Sequence, residues 1–413
     1  MIFNIVLISV AVFFVVMIIV VSLLLYARKK LVPQGKVTIT INEEKKMEIE
    51  MGNSILSTLV SNNIFLPSAC GGKGTCGMCR CRVPEGGGDI LANEKGFFTG
   101  KEIAANWRLG CQTKIKNDIS IIIPEEIFGV KKWECEVISN RNVATYIKEL
   151  VLQLPESENP PFRAGGYIQI DVPPCTINYK DIVIDDQFKN DWDRNNMWDL
   201  KMKNPELVYR AYSMANYPAE GNRIMLNVRI ATPPYNSKKN GFMKVNPGVC
   251  SSYIFSLKKG DKVMVSGPYG EFFVEDTERE MLFIGGGAGM APLRSQIFDE
   301  FKTKHTRRKA SYWYGGRSLK ELFYTEEFEE LARKNDNFSF NVALSEPLPQ
   351  DNWTGYTGFI HQVIFDNYLK NHPEPENIEY YMCGPKVMSD AVMRMLDSLG
   401  VPREMIRFDD FGN

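Results

Sequence analysis

The 413-residue chain has almost no surplus of either charge: 49 Lys and Arg stand against 50 Asp and Glu, for a formal net charge of −1. A nucleic-acid binder needs a basic excess to neutralise phosphates, so no nucleic-acid partner is expected. Histidine is scarce. The three present have no metal-ligand spacing, and no hydrolytic triad is visible. There is no internal repeat and no low-complexity tail. Nine cysteines, an odd number without a repeated framework, argue against a disulfide scaffold and fit a reducing compartment. The length allows two or three domains.

Charge is missing altogether from residues 1–27, and Arg28-Lys29-Lys30 follows at once. About 20 apolar residues suffice for a helix to cross the hydrocarbon core. A cleaved signal peptide would need early Lys or Arg and a small-residue cleavage site, and the exit here is Tyr26-Ala27-Arg28. Residues 1–27 are therefore expected to form an uncleaved, single-pass transmembrane helix, with 28–35 as linker. The basic triplet marks the cytoplasmic side, which places everything after Lys30 in the cytoplasm. One span has no second helix to line an ion path, so this chain cannot pump ions alone.

Four of the cysteines form a pattern. Cys70-Gly71-Gly72-Lys73-Gly74-Thr75-Cys76-Gly77-Met78-Cys79 is followed at a distance by Arg108-Leu109-Gly110-Cys111-Gln112. Zinc ribbons generally use two separate Cys-x-x-Cys hooks. Three ligands on one glycine-rich loop and a fourth alone downstream is the layout of a [2Fe–2S] ferredoxin, here with five residues rather than four in the first gap. Cys70, Cys76, Cys79 and Cys111 are the expected metal ligands. Cys81 is set on the opposite face of an extended strand and left out.

Around that loop, residues 36–41 and 47–51 alternate polar and apolar as a hairpin, and Asn53-Ser54 offers an N-cap for a helix through Ile55, Leu56, Leu59 and Val60. Residues 119–123 would close the sheet. This order is that of an α+β β-grasp ferredoxin domain, over 36–129. Strand patterns at 133–138, 147–153, 167–172, 224–230 and 261–266 then suggest an antiparallel β-barrel over 130–275. Within it, 173–206 reads as an insertion, either a solvated loop or a docking surface for partner subunits. From 276 to 413 strands alternate with helices, the mark of an α/β domain with a parallel sheet.

Arg210-Ala211-Tyr212-Ser213 offers a flavin what it needs: a cation for the pyrophosphate, an aromatic face for the ring and a hydroxyl near N5. Gly248-Val249-Cys250-Ser251 is a glycine entry to a helix that can cradle phosphate, with Ser251 as a hydroxyl donor. With Gly267-Pro268-Tyr269-Gly270, these motifs in order point to FAD. Gly285-Gly286-Gly287-Ala288-Gly289-Met290-Ala291-Pro292 follows a buried strand and opens a helix, so Gly285, Gly287, Gly289 and Pro292 are expected under a dinucleotide pyrophosphate. Arg317, after the second strand, could take a 2′-phosphate, which leaves NADH against NADPH open. Cys383 and Gly384 end the last long strand at the edge where such sheets hold ligands. Cys383 is either a core thiol or, as favoured here, a group beside the nicotinamide. Phe411 could stack on the flavin and be displaced.

Together Arg210–Ser213, Gly248–Ser251, Gly285–Pro292 and Cys383–Pro385 resemble the ferredoxin–NADP reductase superfamily. With the anchor and the cluster loop in front, the chain resembles the F subunits of sodium-translocating NADH:quinone oxidoreductases. The longer strings at 210–218 and 227–234 carry that resemblance. It implies NADH as substrate, FAD, one [2Fe–2S] cluster, and an electron-entry role in a six-subunit pump of the bacterial inner membrane, beside other integral-membrane subunits. It also implies catalytic roles for Ser213, Cys383 and Phe411, with hydride passing to the flavin and single electrons leaving through the cluster toward quinone. Two other readings are an oxygenase reductase component, which would keep native function without residues 1–30, and a non-enzymatic electron carrier, whose flavin NADH would not bleach.

Overall fold

Strand alternation and helix caps are realised element by element in the computed structural model, which describes residues 2–31, 35–68, 70–236 and 241–409. They fall into two units, Met1–Gly129 and Val130–Asn413.

The first unit begins with α1, Ile2–Leu31. Its side chains are described over residues 10–24 and at Tyr26, a stretch that rises about 22 Å. Among the described residues no helix is long and apolar enough to cross a membrane. Strands β1 (Lys36–Ile41) and β2 (Lys45–Glu50) form the expected hairpin, with Asn42 and Glu43 in the left-handed region at its turn. Helix α2 (Ile55–Ser61) starts where Ser54 Oγ accepts the Ser57 N–H at 3.1 Å. Strand β3 (Arg80–Glu85), helix α3 (Gly100–Ala104), β4 (Trp107–Leu109) and β5 (Ile119–Ile122) complete the unit. The sheet order is β2-β1-β5-β3-β4. The strand at 119–122 does not close the sheet at its edge. It lies at the centre, parallel to β1 and antiparallel to β3. Ile39, Ile41, Ile119 and Ile121 from these two central strands pack under Ile55, Leu56 and Leu59 of α2.

In the second unit β6 (Lys131–Ala144), β7 (Ile147–Gln153), β8 (Tyr167–Val172), β11 (Val208–Ser213), β12 (Arg223–Arg229) and β15 (Lys262–Tyr269) form an antiparallel sheet in the order β11-β8-β15-β6-β7-β12. A bridge between Met214 and Leu226, with Ala215 N donating to Met225 O at 2.6 Å, joins its two edges and makes it a barrel. Helix α5 (Val249–Ser256) packs Cys250 and Ile254 into the barrel core.

Residues 173–206 are not a solvated loop. They form β9 (Cys175–Asn178), α4 (Asp186–Arg194) and β10 (Lys201–Asn204) around their own core of Tyr179, Phe188, Trp192, Met197 and Met202. The buried Lys148 of β7 fastens them, its Nζ donating to Val183 O at 2.7 Å and Phe255 O at 3.1 Å. A short ribbon, β13 (Tyr235–Asn236) and β14 (Gly241–Phe242), follows.

The α/β part is a fully parallel sheet, ordered β19-β18-β17-β16-β20-β21. Its strands are β16 (Met281–Gly286), β17 (Ala310–Gly316), β18 (Phe338–Leu344), β19 (Tyr356–Thr357), β20 (Glu379–Cys383) and β21 (Ile406–Asp409). Helices α6 (Met290–Phe298) and α7 (Thr325–Lys334) cover one face, while α8 (Ile360–Asn367) and α9 (Lys386–Ser398) cover the other. In β16 Met281 and Phe283 enter the first of these cores, Leu282 and Ile284 the second. A strand covered on both sides has to be apolar at every position.

Candidate functional site

The four expected cluster thiols meet as two pairs. Cys76 Sγ donates to Cys70 Sγ at 3.4 Å, and Cys79 is hydrogen-bonded to Cys111. The thiol protons of Cys76 and Cys79, shared with their partners, pull Cys70 and Cys111 down and leave Cys76 and Cys79 raised. Backbone N–H groups of Thr75 and Cys76 turn onto Cys70, and the Gln112 amide reaches Cys111 Sγ at 3.4 Å. Sulfurs gathered in pairs, with N–H donors aimed at them, are the donor set a binuclear iron–sulfur cluster requires. Gly77 sits at φ 70°, and a Cβ there would lie 2.5 Å from the Phe97 ring, so the turn that carries Cys76 into Cys79 requires glycine.

Two residues that support this loop were not legible in the spacing. Glu94, fully buried, takes a bidentate ion pair from the buried Arg108 and also accepts the Leu109 N–H at 2.8 Å. Arg108 in turn holds the carbonyls of Gly87 and Gly88. The strand leading to Cys111 is thereby pinned to the 87–94 loop. Cys81 stays outside the set, but not for the expected reason. Residues two apart in a strand share a face. Cys79 precedes β3, whereas Cys81 lies within it, wholly buried, its thiol 3.9 Å from Arg108 O. Burial pushes that thiol up to about 12.

In the second unit, β11 carries Arg210 and Tyr212 on one face and Ser213 on the other, paired with Ile170, Ile168 and Tyr167 of β8. Arg210 Nη1 rests on Tyr209 O at 2.7 Å. Helix α5 opens at Gly248, where a Cβ would lie 2.6 Å from the Ala231 side chain. The Ser251 hydroxyl is turned inward: it donates to Gly248 O at 3.2 Å and accepts the Ala231 N–H at 3.1 Å. A phosphate at this helix entry would therefore meet the first-turn N–H groups rather than that hydroxyl.

Three parallel strands bring the remaining residues into one row. Gly285 of β16 pairs in register with Cys383 of β20, and Cys383 with Asp409 of β21. The barrel reaches the same edge, since Ser213 Oγ donates to Asp409 Oδ2 at 2.8 Å. Asp409 was not among the expected site residues, although it stands just ahead of Phe411 in the chain. Cys383 is completely buried. A Cβ at Gly289 would fall 2.0 Å from Cys383 O and 2.6 Å from Gly384 N, so the helix start and the Cys383-Gly384 turn touch backbone to backbone. Pro292 is in the first turn of α6. Phe411 lies outside the described residues.

Family models match along the chain in the same order: a 2Fe-2S iron-sulfur cluster binding domain over residues 39–116, an oxidoreductase FAD-binding domain over 195–274 and an oxidoreductase NAD-binding domain over 283–394. Residues and models agree that a [2Fe–2S] cluster, FAD and a nicotinamide dinucleotide are the groups to fit. The chain is 56% identical over 392 residues to the F subunit of Na(+)-translocating NADH-quinone reductase of Pseudomonas aeruginosa UCBPP-PA14, covering 95% of each. It is 56% identical over 409 residues to the protein of that name in Klebsiella pneumoniae, covering 98% of this chain and 99% of the relative. Among solved structures, Amycolatopsis cytochrome P450 reductase GcoB superposes with a TM-score of 0.63 at 21% identity, over 91% of this chain and 98% of that one. The ferredoxin reductase in carbazole 1,9a-dioxygenase gives 0.57 at 24%, over 92% and 99%. These two likenesses speak to the fold.

Proposed function

The chain belongs to the family of F subunits of Na(+)-translocating NADH-quinone reductase, and from that premise we propose how its residues perform NADH oxidation at the electron entry of such a complex. It is an NADH:quinone oxidoreductase subunit that uses FAD and a [2Fe–2S] cluster, with NADH as substrate, in a sodium-transporting multi-subunit assembly. When bound, FAD supplies the exchange between a two-electron donor and single-electron carriers, and the cluster supplies single-electron transfer.

The observation that carries the reading is the row Gly285, Cys383 and Asp409 with Ser213 joined to it. It brings the barrel strand to the carboxyl edge where α/β sheets hold ligands. On this reading Arg210 would neutralise the flavin pyrophosphate, Tyr212 would offer its aromatic face to the ring and Ser213 would supply a hydroxyl oxygen for N5. Gly248 and Ser251 shape the α5 entry for phosphate. Gly285, Gly287, Gly289 and Pro292 form the turn beneath the NADH pyrophosphate, while Cys383 and Gly384 flank the nicotinamide. Phe411 would be the aromatic that stacks on the flavin ring and gives way to the nicotinamide. Cys70, Cys76, Cys79 and Cys111 would hold the [2Fe–2S] cluster through their thiolates. The corresponding domain limits are 36–129, 130–275 and 276–413.

The anchor belongs to the same proposal. Over residues 10–24 the side chains of α1 are apolar except Ser22, and they stand exposed, Phe13 at 61% and Ile18 at 63%. A contiguous surface of that kind is costly in water and is covered at no cost by hydrocarbon. We therefore place residues 1–27 across the bacterial inner membrane as a single pass, the catalytic domains in the cytoplasm, and other integral-membrane subunits as partners.

Anaerobic titration of the full chain, loaded with FAD, iron and sulfide, tests the reading. NADH should bleach the flavin absorbance and raise a paramagnetic signal. Cys70→Ala should keep the bleaching and lose the signal. Loss of both in a folded variant would overturn the order of transfer.

A further inference from the structure

Helix α6 is apolar except for Arg294-Ser295-Gln296, and those three are 4%, 0% and 1% exposed. Three consecutive side chains sweep about 200° of a helix surface, so they face different neighbours. Buried polar groups are costly unless bonded. Each of these is bonded to backbone of the barrel or of the segment that leaves it. Arg294 Nη1 donates to Ala215 O at 2.9 Å, Ser295 Oγ to Asn216 O at 2.8 Å, and Gln296 Nε2 to Phe272 O at 2.7 Å.

Arg294 makes the most extensive of these contacts. Its Nη1 also donates to Glu220 Oε2 at 2.9 Å, and Nη2 donates to Glu220 Oε1 at 2.9 Å and Glu327 Oε2 at 2.7 Å. Each terminal nitrogen thus commits both of its hydrogens. Glu220 Oε2 accepts the Tyr217 N–H as well, so the 215–220 turn closes around the guanidinium. The rings of Phe298 and Tyr324 lie 4.5 and 5.1 Å from its Cζ. Both ends of this link lead to the proposed site. Four residues back, about 6 Å along the axis, α6 opens at Met290 on the glycine turn. Two residues before Ala215 stands Ser213, and Ala215 N donates to Met225 O at 2.6 Å where the barrel closes.

We propose that Arg294 is a positioning residue for hydride transfer: it holds the turn after Ser213 against the helix that opens at the nucleotide turn, and so fixes the separation of nicotinamide and flavin. Its guanidinium is buried among protein partners, so it acts through the 215–220 backbone and not on either ring. The inference rests on the nucleotide and flavin sites proposed above and adds what sets one against the other. Hydride donor and acceptor must meet within a narrow range, and a misplacement of about 1 Å can slow a reaction about a hundredfold. Lysine in this position keeps the charge but donates from one atom, so it cannot span Ala215 O, Glu220 and Glu327 together.

The test is stopped-flow reduction of the FAD-loaded full chain by NADH, read with its long-wavelength charge-transfer absorbance, the calorimetric Kd for 5′-ADP and the melting temperature. Arg294→Lys should slow flavin reduction about 10- to 100-fold and weaken the charge-transfer absorbance, while 5′-ADP affinity and FAD content stay within about twofold. Glu220→Gln leaves Arg294 bound to Ala215 O and Glu327. It should show the same pattern more weakly, and it carries the test if the lysine variant does not fold. Gln296→Met removes a contact of the same helix away from Ser213, so it should lower the melting temperature and keep the reduction rate within about twofold. Unchanged reduction and absorbance in folded Arg294→Lys or Glu220→Gln overturns the inference. Equal slowing by Gln296→Met overturns it too, since the contact is then general packing. In both cases NADH still reduces the flavin of the unmodified chain and the proposed sites stand. If it does not, the reading beneath the inference falls as well.

Discussion

The Ser213 hydroxyl donates to the Asp409 carboxylate at 2.8 Å, although the two residues stand 196 positions apart. A hydroxyl whose hydrogen is committed to a carboxylate turns its remaining lone pairs outward, so Ser213 Oγ is set to accept rather than donate. Asp409→Asn removes the charge that fixes this orientation. A hydrogen bond to a charged group contributes about 1.5–3 kcal/mol, which corresponds to roughly 10- to 100-fold in rate if it acts only as the reaction proceeds. Stopped-flow flavin reduction by NADH should slow by that factor in Asp409→Asn, with FAD content unchanged. Ser213→Ala should lose a similar amount, and the double variant little more, because the pair acts as a unit. A wild-type rate in Asp409→Asn would refute this.

The Glu94–Arg108 pair makes a prediction for the cluster domain. Burial pushes Glu94 up, but Arg108 and the N–H groups of Leu109 and Leu91 hold its carboxyl below the ordinary range. Its stabilising contribution is therefore present above that range and lost as pH falls through the lowered value. Glu94→Gln leaves a guanidinium buried without its counter-charge, which costs about 3–5 kcal/mol. Urea unfolding should show that loss at neutral pH. Thermal melting of the unmodified chain should also drop more steeply below about pH 4 than that of the variant. Equal acid sensitivity in the two would remove Glu94 from the account.

What the sequence discloses here is what depends on local spacing. Cys70, Cys76 and Cys79 share one loop, the glycines at 285–289 sit between a buried strand and a helix, and the strands at 147–153 and 167–172 alternate or run apolar as their pairing demands. Contacts between distant segments leave no such trace. Asp409 looks like one more terminal acid until β21 sets it beside Cys383. Glu94 lies in a polar loop and reads as solvated until Arg108 covers it. The 173–206 segment reads as polar because its core residues, Tyr179, Phe188, Trp192 and Met202, follow no single period and are gathered only by folding. Arg317, taken alone, leaves NADH against NADPH open, and its ion pair with Glu346, just past the end of β18, has no trace in the spacing.

Lys148 gives the inserted segment a measurable alkaline signature. Burial lowers its ammonium to about 8, against a smaller opposing pull from Asp185. A lysine whose folded value lies below its unfolded one of 10.5 penalises folding while protonated. Stability should therefore rise as pH climbs from about 8 to 10.5 and be flat below, a gain of about 3 kcal/mol at most. In Lys148→Met that rise should be absent. Comparing the two chains at each pH by urea unfolding cancels the other lysines. Parallel curves would mean that the ammonium is solvated.

Gly289 and Gly287 separate close approach from backbone conformation within one turn. A Cβ at Gly289 would meet Cys383 O at 2.0 Å and Cys383 C at 2.3 Å, both backbone atoms that cannot rotate away. At Gly287 the nearest atom is Ile147 Cδ1 at 3.7 Å, and the only obstacle is a φ of 55°. Gly289→Ala must push the helix start away from the Cys383-Gly384 turn, an overpacking cost of about 1–3 kcal/mol or more. Because that displacement falls on the proposed pyrophosphate turn, KM for NADH should rise at least about tenfold while the barrel keeps its FAD. Gly287→Asn, a residue that tolerates the left-handed region, should cost under about 1 kcal/mol of stability and leave the melting temperature near its original value. The discriminating measurement is KM for NADH alongside the melting temperature of each variant. If Gly289→Ala matches the unmodified chain in both, the two turns are not in contact and the proposed nucleotide site loses its floor.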